Sequence, residues 1–96
     1  MNTFAVLYEY DPENPAIAET RPEHRKFLRS LLDSGRLIGS GPFTDAEGGA
    51  LIVISLEEGA GVADAEKVMD DDPFTVAGLI QKRTVRPWNP VLNIWG

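Results

Sequence analysis

The sequence contains no cysteine and one histidine among its 96 residues. The lack of cysteine excludes disulfide bonds, thiol nucleophiles and cysteine metal sites. A single histidine leaves little with which to bind zinc, and the run Asp70-Asp71-Asp72 is more typical of a solvated helix end than of a metal site. Neither a glycine-rich phosphate loop nor a Ser-His-Asp arrangement is present. We therefore expect a protein that uses neither a metal nor a cofactor.

Basic residues are also few, nine against fifteen acidic ones, which gives a formal net charge of -6. Such a charge repels a phosphate backbone and an anionic membrane surface, so we expect no nucleic-acid or membrane partner. The longest apolar run, Ala50 to Ile54, is far too short to span a bilayer, and the first residues carry no basic leader. These features predict a cytoplasmic protein. The basic residues form two groups that we interpret as a solvated helix face and a polar strand: Arg21, Arg25, Lys26 and Arg29, and Lys82, Arg83 and Arg86.

The length predicts a single domain over residues 1–96, because domains commonly have roughly 100 to 150 residues. A chain of this size removes only about 60 to 70% of its unfolded surface from water on folding. Pairing with a second copy would add apolar burial, which is a first indication of an oligomer.

Two segments have the pattern of central strands. From Thr3 to Tyr10, and again from Ala50 to Ile54, apolar side chains occupy most positions on both faces, as in strands that are covered on both sides. Two further strands are predicted over Arg36–Phe43, where Pro42 indicates an edge or a bend, and over Leu79–Pro87.

Capping signals place the helices between these strands. Thr20-Arg21-Pro22-Glu23 has the pattern of a capping box and predicts a helix from about Arg21 to Ser34. Ser55-Leu56-Glu57-Glu58 has the same pattern before the apolar stripe of a second helix that ends near Met69. Asp72 and Pro73 are suited to the N-cap and first position of a short third helix.

The resulting β-α-β-β-α-β order predicts an α+β fold with a ferredoxin-like antiparallel sheet, strands 1 and 3 in its centre and both main helices on one face. The other face would then be bare although its strands carry apolar side chains. We expect the sheet of a second subunit to cover it, giving a homodimer or a higher homo-oligomer. The segment from Pro87 to Trp95 is so apolar that we expect it to pack on its own domain or on the partner.

Several motifs, in this order, resemble the YCII-related (YciI-like) family across nearly the whole chain. They are the first strand, His24 on the first helix, the run Gly35–Pro42 (GRLIGSGP), the run Asp72–Leu79 (DPFTVAGL) and the final Val85–Trp88 (VRPW). The resemblance implies a dimeric α+β barrel. It also implies that His24 and Asp72 are the family's marked histidine and aspartate, on which its members are regarded as probable enzymes. Some relatives remove chloride from a hydroxylated ring, and the same barrel holds muconolactone isomerases.

His24 and Asp72 are the candidate catalytic residues. His24 shares a helix face with Phe27 and Leu28, so it is either an acid-base group directed at the sheet or a buried histidine satisfied by one hydrogen bond. Asp72 would support His24 or merely cap a helix. In a ferredoxin-like fold the segment after helix 2 tends to lie at the opposite end from the start of helix 1, so we do not expect direct contact within one subunit. Asp33 lies too far around and along the helix from His24 to replace it.

Ser40 and Tyr8 are the candidate substrate-binding residues. Ser40 lies between two glycines, where a ligand can approach the main chain closely, although a bend in an edge strand would also explain the glycines. Tyr8 offers a hydroxyl from a central strand, where an aromatic residue is more often part of the core. The sequence thus favours a small lyase or isomerase that uses histidine acid-base chemistry on a ring-derived or enolisable compound. The alternative is a non-catalytic dimer that binds a small ligand or serves as an accessory protein.

Overall fold

The computed structural model describes residues 1–94 of the chain. It contains four strands and three helices, in the order β1 (Asn2–Glu9), α1 (Pro15–Asp33), β2 (Leu37–Pro42), β3 (Ala50–Leu56), α2 (Val62–Met69), α3 (Pro73–Val76) and β4 (Lys82–Pro87). The predicted β-α-β-β-α-β order is confirmed, with the short α3 added before the last strand.

All four strands form one antiparallel sheet in the order β2-β3-β1-β4. The central position of β1 and β3 is confirmed, and β2, which ends at Pro42, is an edge strand as its proline indicates. In the register of the central pair, Val6 lies opposite Ile52. The fold is therefore a ferredoxin-like α+β domain.

The hydrophobic core lies between one face of the sheet and the helices. Alternate residues of the central strands, such as Val6 and Ile52, pack against helix residues such as Leu28, Leu31 and Met69. Because successive side chains of a strand alternate between faces, the intervening residues point to the other face of the sheet. They are only partly covered and include Ala5, Leu7, Leu51 and Val53. The predicted bare face is thus present in the single chain.

Helix α1 begins six residues before the predicted start. Asn14 is its N-cap and accepts a hydrogen bond from the amide of Ala16 at 3.0 Å, while Pro15 is the first helical residue. Asn-Pro is as good a start signal as the predicted capping box, and the earlier start buries Ile17 in the core. The capping box at Thr20 was therefore wrong, and Pro22 lies inside the helix.

The predicted start of α2 was also wrong. Ser55 is buried in β3, where it pairs with Thr3, and the strand continues to Leu56. The helix begins at Val62, and Asp64 accepts a hydrogen bond at 2.8 Å from the amide of the N-cap Gly61. β3 pairs with β1 along its whole length, so Ser55 and Leu56 are held in the strand and cannot form the first turn of a helix. The last strand is shorter than predicted, because it begins at Lys82 and not at Leu79.

Residues 91–94, at the end of the described C-terminal segment, do not pack on their own domain. The amide of Trp88 still bonds to the carbonyl of Thr3 at 2.8 Å, but Val91, Leu92 and Ile94 are 80%, 94% and 103% exposed. Of the two expected packing modes, the first is not seen over residues 91–94, and Trp95 lies outside the described residues. Within residues 1–94 no helix has the length and apolar character needed to cross a membrane.

Candidate active site

His24 lies in the middle of α1, as the tenth of its 19 residues, on the face that packs against the sheet. Its side chain is buried, with 7% of the residue exposed. The predicted helix start at about Arg21 would place His24 in the first turn, whereas the observed start at Pro15 places it in the middle of the helix. The imidazole is consequently held by a rigid helical turn and is flanked on both sides by further turns.

Asp72 lies directly beside His24. The imidazole Nδ1 is 2.8 Å from Oδ1 of Asp72 and 2.9 Å from Oδ2. The carboxylate is fully buried, and Oδ1 also accepts a hydrogen bond at 3.0 Å from the amide of Phe74 as the N-cap of α3. The expectation of no direct contact within one subunit was therefore wrong. α3 packs against α1, and it brings its N-cap to the middle of that helix and not to its start.

Tyr8 completes the group of buried polar side chains. Its hydroxyl donates a hydrogen bond to Oδ2 of Asp72 at 2.7 Å. Burial raises the pKa of Tyr8 far above its ordinary value, and the negative charge of Asp72 raises the pKa further. The phenol therefore stays protonated and remains a donor. Tyr8 is 1% exposed and lies behind the His24–Asp72 pair, so it does not reach the adjoining cavity as a ligand-binding side chain.

Phe74 fixes the plane of the imidazole. Its ring stacks on His24 with a centroid separation of 4.0 Å and an interplanar angle of 8°. Its other side packs edge-on against Tyr10 at 5.8 Å. Phe74 belongs to one of the family-like motifs, but no role was predicted for it. The sequence signal for this role is the position of Phe74 two residues after Asp72. The amide of Phe74 bonds to the Asp72 carboxylate, so Phe74 lies close to the side chain that Asp72 binds.

The second imidazole nitrogen, Nε2, adjoins a cavity of about 290 Å³. Nε2 has no hydrogen-bond partner among residues 1–94, whereas Nδ1 is held by Asp72. Ser40 lines the same cavity from β2, where it lies opposite Ile52 and so faces the helices. The structure thus places His24 and Ser40 at the cavity, whereas Asp72 and Tyr8 are buried and bonded to each other behind His24.

Two cavity residues were interpreted differently from the sequence. Arg21 and Arg25 were assigned to a solvated helix face, but both line the cavity beside His24. Their spacing contained the signal, because Arg21 precedes His24 by three residues and so shares its side of the helix. Arg21 and His24 share a helix side whether α1 starts at Pro15 or at Arg21. The run of basic residues nevertheless favoured a solvent-exposed helix face.

The arrangement is chemically a buried carboxylate that orients an imidazole. Because a carboxylate accepts hydrogen bonds, Nδ1 carries the proton it donates, and the lone pair of the neutral ring is then on Nε2, at the cavity. Among residues 1–94 there is no group of three or more histidine, aspartate and glutamate side chains that could hold a metal ion. The arrangement can accept or release a proton beside a small cavity.

Solved structures with a similar fold include one with a small cyclic ligand. The 5-chloro-2-hydroxyhydroquinone dehydrochlorinase TftG of Burkholderia phenoliruptrix AC1100, in complex with 2,5-dihydroxybenzoquinone, is 21% identical. The match covers 91% of this chain and 93% of that one, with a TM-score of 0.75. At this level of identity the likeness establishes the fold.

Two more distant structures share that fold. Protein Atu4242 of Agrobacterium tumefaciens is 16% identical over 94% of this chain and 93% of its own, with a TM-score of 0.58. An antibiotic biosynthesis monooxygenase is 15% identical over 93% of this chain and 97% of its own, with a TM-score of 0.53. Together these structures show that the domain has a ferredoxin-like α+β fold.

A comparison with curated proteins finds no match. The model of the YCII-related domain, in contrast, matches residues 3–89, which include the His24–Asp72 pair and all the strands and helices described above except Asn2 at the start of β1. The resemblance seen in the sequence motifs is thereby confirmed, and the chain belongs to the YCII-related family.

Proposed function

We propose that this protein is a small enzyme of the lyase or isomerase type, in which His24 moves a proton on a ring-derived or enolisable compound. The observation that carries the proposal is the contact of Nδ1 of His24 with both carboxylate oxygens of the fully buried Asp72, at 2.8 and 2.9 Å. A purely structural histidine needs one hydrogen bond. Here the second nitrogen remains available at a cavity.

The proposed role of His24 begins with Nε2 as a general base. Nε2 takes a proton from a carbon or hydroxyl group of the substrate, and the electron pair of the broken bond becomes part of an enolate. The imidazolium that forms is stabilised by the Asp72 carboxylate, and Phe74 holds the ring in plane during the transfer. Tyr8 and the amide of Phe74 keep the carboxylate oriented towards the imidazole.

The reaction can end in two ways that need no further reactant. Returning the proton to another atom of the enolate gives an isomer. Alternatively, the enolate expels a leaving group together with its bonding electron pair. The substrate then loses a proton and the leaving group overall, which is a lyase reaction. Ser40 is within the cavity and would donate its hydroxyl to the oxygen on which charge develops. The dehydrochlorinase among the similar structures is consistent with the second outcome.

The same proposal includes a homodimer formed through the bare sheet face. The partly covered apolar residues Ala5, Leu7, Leu51 and Val53 lie together on it. Apolar side chains on a sheet face are stabilised when a second layer covers them. Replacing Leu51 by Lys should convert the dimer to a monomer in sedimentation or light-scattering measurements. Lys67, on the exposed side of α2, provides a control in the Lys67→Gln variant.

The function is tested by turnover of a panel of compounds, beginning with 5-chloro-2-hydroxyhydroquinone and chloride release. The panel continues with enolisable ring compounds and lactones, followed by absorbance and by solvent deuterium incorporation. His24→Gln should abolish turnover and leave the dimer intact. Unchanged turnover in this variant would remove the proposal. A compound that binds without any product, equally well in wild type and His24→Gln, would instead favour a non-catalytic ligand-binding protein.

A further inference from the structure

The charge of the cavity is opposite to the charge of the chain. The chain carries a formal net charge of -6, yet the ionised side chains that line the cavity are Arg21 and Arg25, and no aspartate or glutamate lines it. Asp72 lies behind His24 and is fully buried. A cavity with cationic walls in an acidic protein concentrates positive potential at one place on the surface.

Neither arginine has a protein partner within residues 1–94. No hydrogen bond or ion pair within 4.0 Å involves Arg21 or Arg25 in this part of the chain. Two of the other arginines are engaged, since Arg83 bonds to Asp70 at 2.8 Å and Arg36 to Ser34 at 3.2 Å. The unpaired guanidinium groups therefore keep all their donors available for a ligand.

The two arginines can act on one ligand. They are four residues apart on α1, so they lie on adjacent turns of the same helix side, about 6 Å apart along the axis. A guanidinium presents parallel N–H groups that match the two oxygens of a carboxylate or the adjacent oxygens of an ionised hydroxyketone. His24 lies between the two arginines in sequence, and its imidazole lines the same cavity.

We propose that the cavity binds a small planar organic anion, a carboxylate or an ionised enol, with its negative oxygens at Arg21 and Arg25 and its ring beside His24. This inference deepens the proposed function, on which it rests, by naming the charge and size of the substrate. The cavity of about 290 Å³ is roughly twice the size of a cavity of about 150 Å³ that accommodates benzene. It therefore holds a single substituted ring.

A matched pair of probes tests the charge requirement. Benzoate and benzamide have the same ring and nearly the same shape, but only benzoate is charged. Binding is measured by titrating each probe into the 15N-labelled wild-type dimer and following amide shifts of α1 and β2. We expect benzoate to bind about tenfold more tightly than benzamide, with the difference reduced in high salt.

The variants assign this preference to the two arginines. Arg21→Gln/Arg25→Gln should lose the preference for benzoate, whereas Arg29→Gln, an exposed change on the same helix away from the cavity, should keep it. Equal affinity of the wild type for the two probes, or a preference that persists in the double variant, would overturn the anion site. His24→Gln should retain the preference for benzoate. Retained anion binding in a variant without turnover separates this inference from the catalytic role of His24.

Discussion

Replacing Asp72 by Asn should move the proton of the neutral His24 ring from Nδ1 to Nε2. In the wild type the carboxylate accepts from Nδ1 of His24, from the hydroxyl of Tyr8 and from the amide of Phe74. Asn is as good an N-cap as Asp, so its oxygen should stay with the amide of Phe74. Its NH2 group then occupies the position of Oδ2, 2.7 Å from the Tyr8 hydroxyl and 2.9 Å from Nδ1.

The consequence follows from the hydrogen-bond roles. The oxygen, 2.8 Å from Nδ1, already accepts from the amide of Phe74, whereas the NH2 group needs an acceptor. Nδ1, 2.9 Å away, supplies one when the proton of the neutral ring moves to Nε2. Nε2 then has no lone pair at the cavity. We expect turnover to fall by about 10² to 10⁴-fold, the larger figure being the effect of the equivalent change in a serine-protease triad.

The cost in stability should be moderate. Three hydrogen bonds to a charged acceptor, worth about 1.5 to 3 kcal/mol each, become neutral ones worth about 0.5 to 1.5 kcal/mol, so the variant should lose about 3 kcal/mol. For a domain of this length that is a fall of roughly 12 to 24 °C in the thermal midpoint. The variant should therefore still be folded at room temperature.

The assay is favoured by the presence of a single histidine. Long-range 15N–1H spectra of protein labelled at histidine show one imidazole, and its two nitrogen shifts identify the tautomer of the neutral ring. The wild type should carry the proton on Nδ1 and Asp72→Asn on Nε2. Asp11→Asn, which keeps an exposed side-chain acceptor for the amide of Glu13, is the control and should leave the spectrum unchanged. A wild type with the proton on Nε2, or a variant with no change, would refute the reasoning.

Three further predictions concern the groups around this pair. Tyr8→Phe should lower the free energy of unfolding by about 1.5 to 3 kcal/mol, because it removes a donor to a buried carboxylate, while Tyr10→Phe should change it by less than about 0.5 kcal/mol in urea denaturation. In an alkaline titration the phenol of Tyr8 should stay protonated while the protein is folded. The folded-state pKa of Tyr8 is raised, so the contribution of its hydroxyl to stability is complete below about pH 10 and is lost as the pH rises further. The absorbance of the Tyr8 phenolate should therefore appear only with unfolding. Gly49→Ala should lower the thermal midpoint strongly, because φ is +90° and the new Cβ would lie 2.5 Å from the carbonyl oxygen of Tyr8. Gly39→Ala, with nothing within 4 Å, should have a small effect. Ionisation of both tyrosines without unfolding, equal effects of the two phenylalanine variants, or equal effects of the two alanine variants would contradict the respective reasoning.

The sheet could be predicted from the sequence because its signals are local. Alternation in β1 and the two-sided apolar run in β3 require burial on both faces whatever surrounds them. The helix starts were less well determined, because Asn14-Pro15 and Thr20–Glu23 offer two valid caps for one helix. The additional burial of Ile17 favours the first, and this burial is a tertiary effect.

The contact between His24 and Asp72 could not be derived from the residues alone. It joins positions 48 apart and depends on the placement of α3 against α1, which spacing along the chain does not contain. The dual role of Asp72 also concealed it, since capping Phe74 was sufficient to explain an aspartate before a proline. The family motifs pointed to the pair, whereas the roles of Phe74, Arg21 and Arg25 required the positions of their side chains.

The most direct test of proton transfer by His24 is rescue of the His24→Ala variant by added imidazole, in a turnover assay with a compound that the wild type converts. The variant leaves the space of the ring beside Asp72, which can orient a free imidazole as it orients the side chain. We predict negligible turnover without imidazole and a rate that rises with its concentration. Turnover by the variant at the wild-type rate without imidazole would contradict the role of His24.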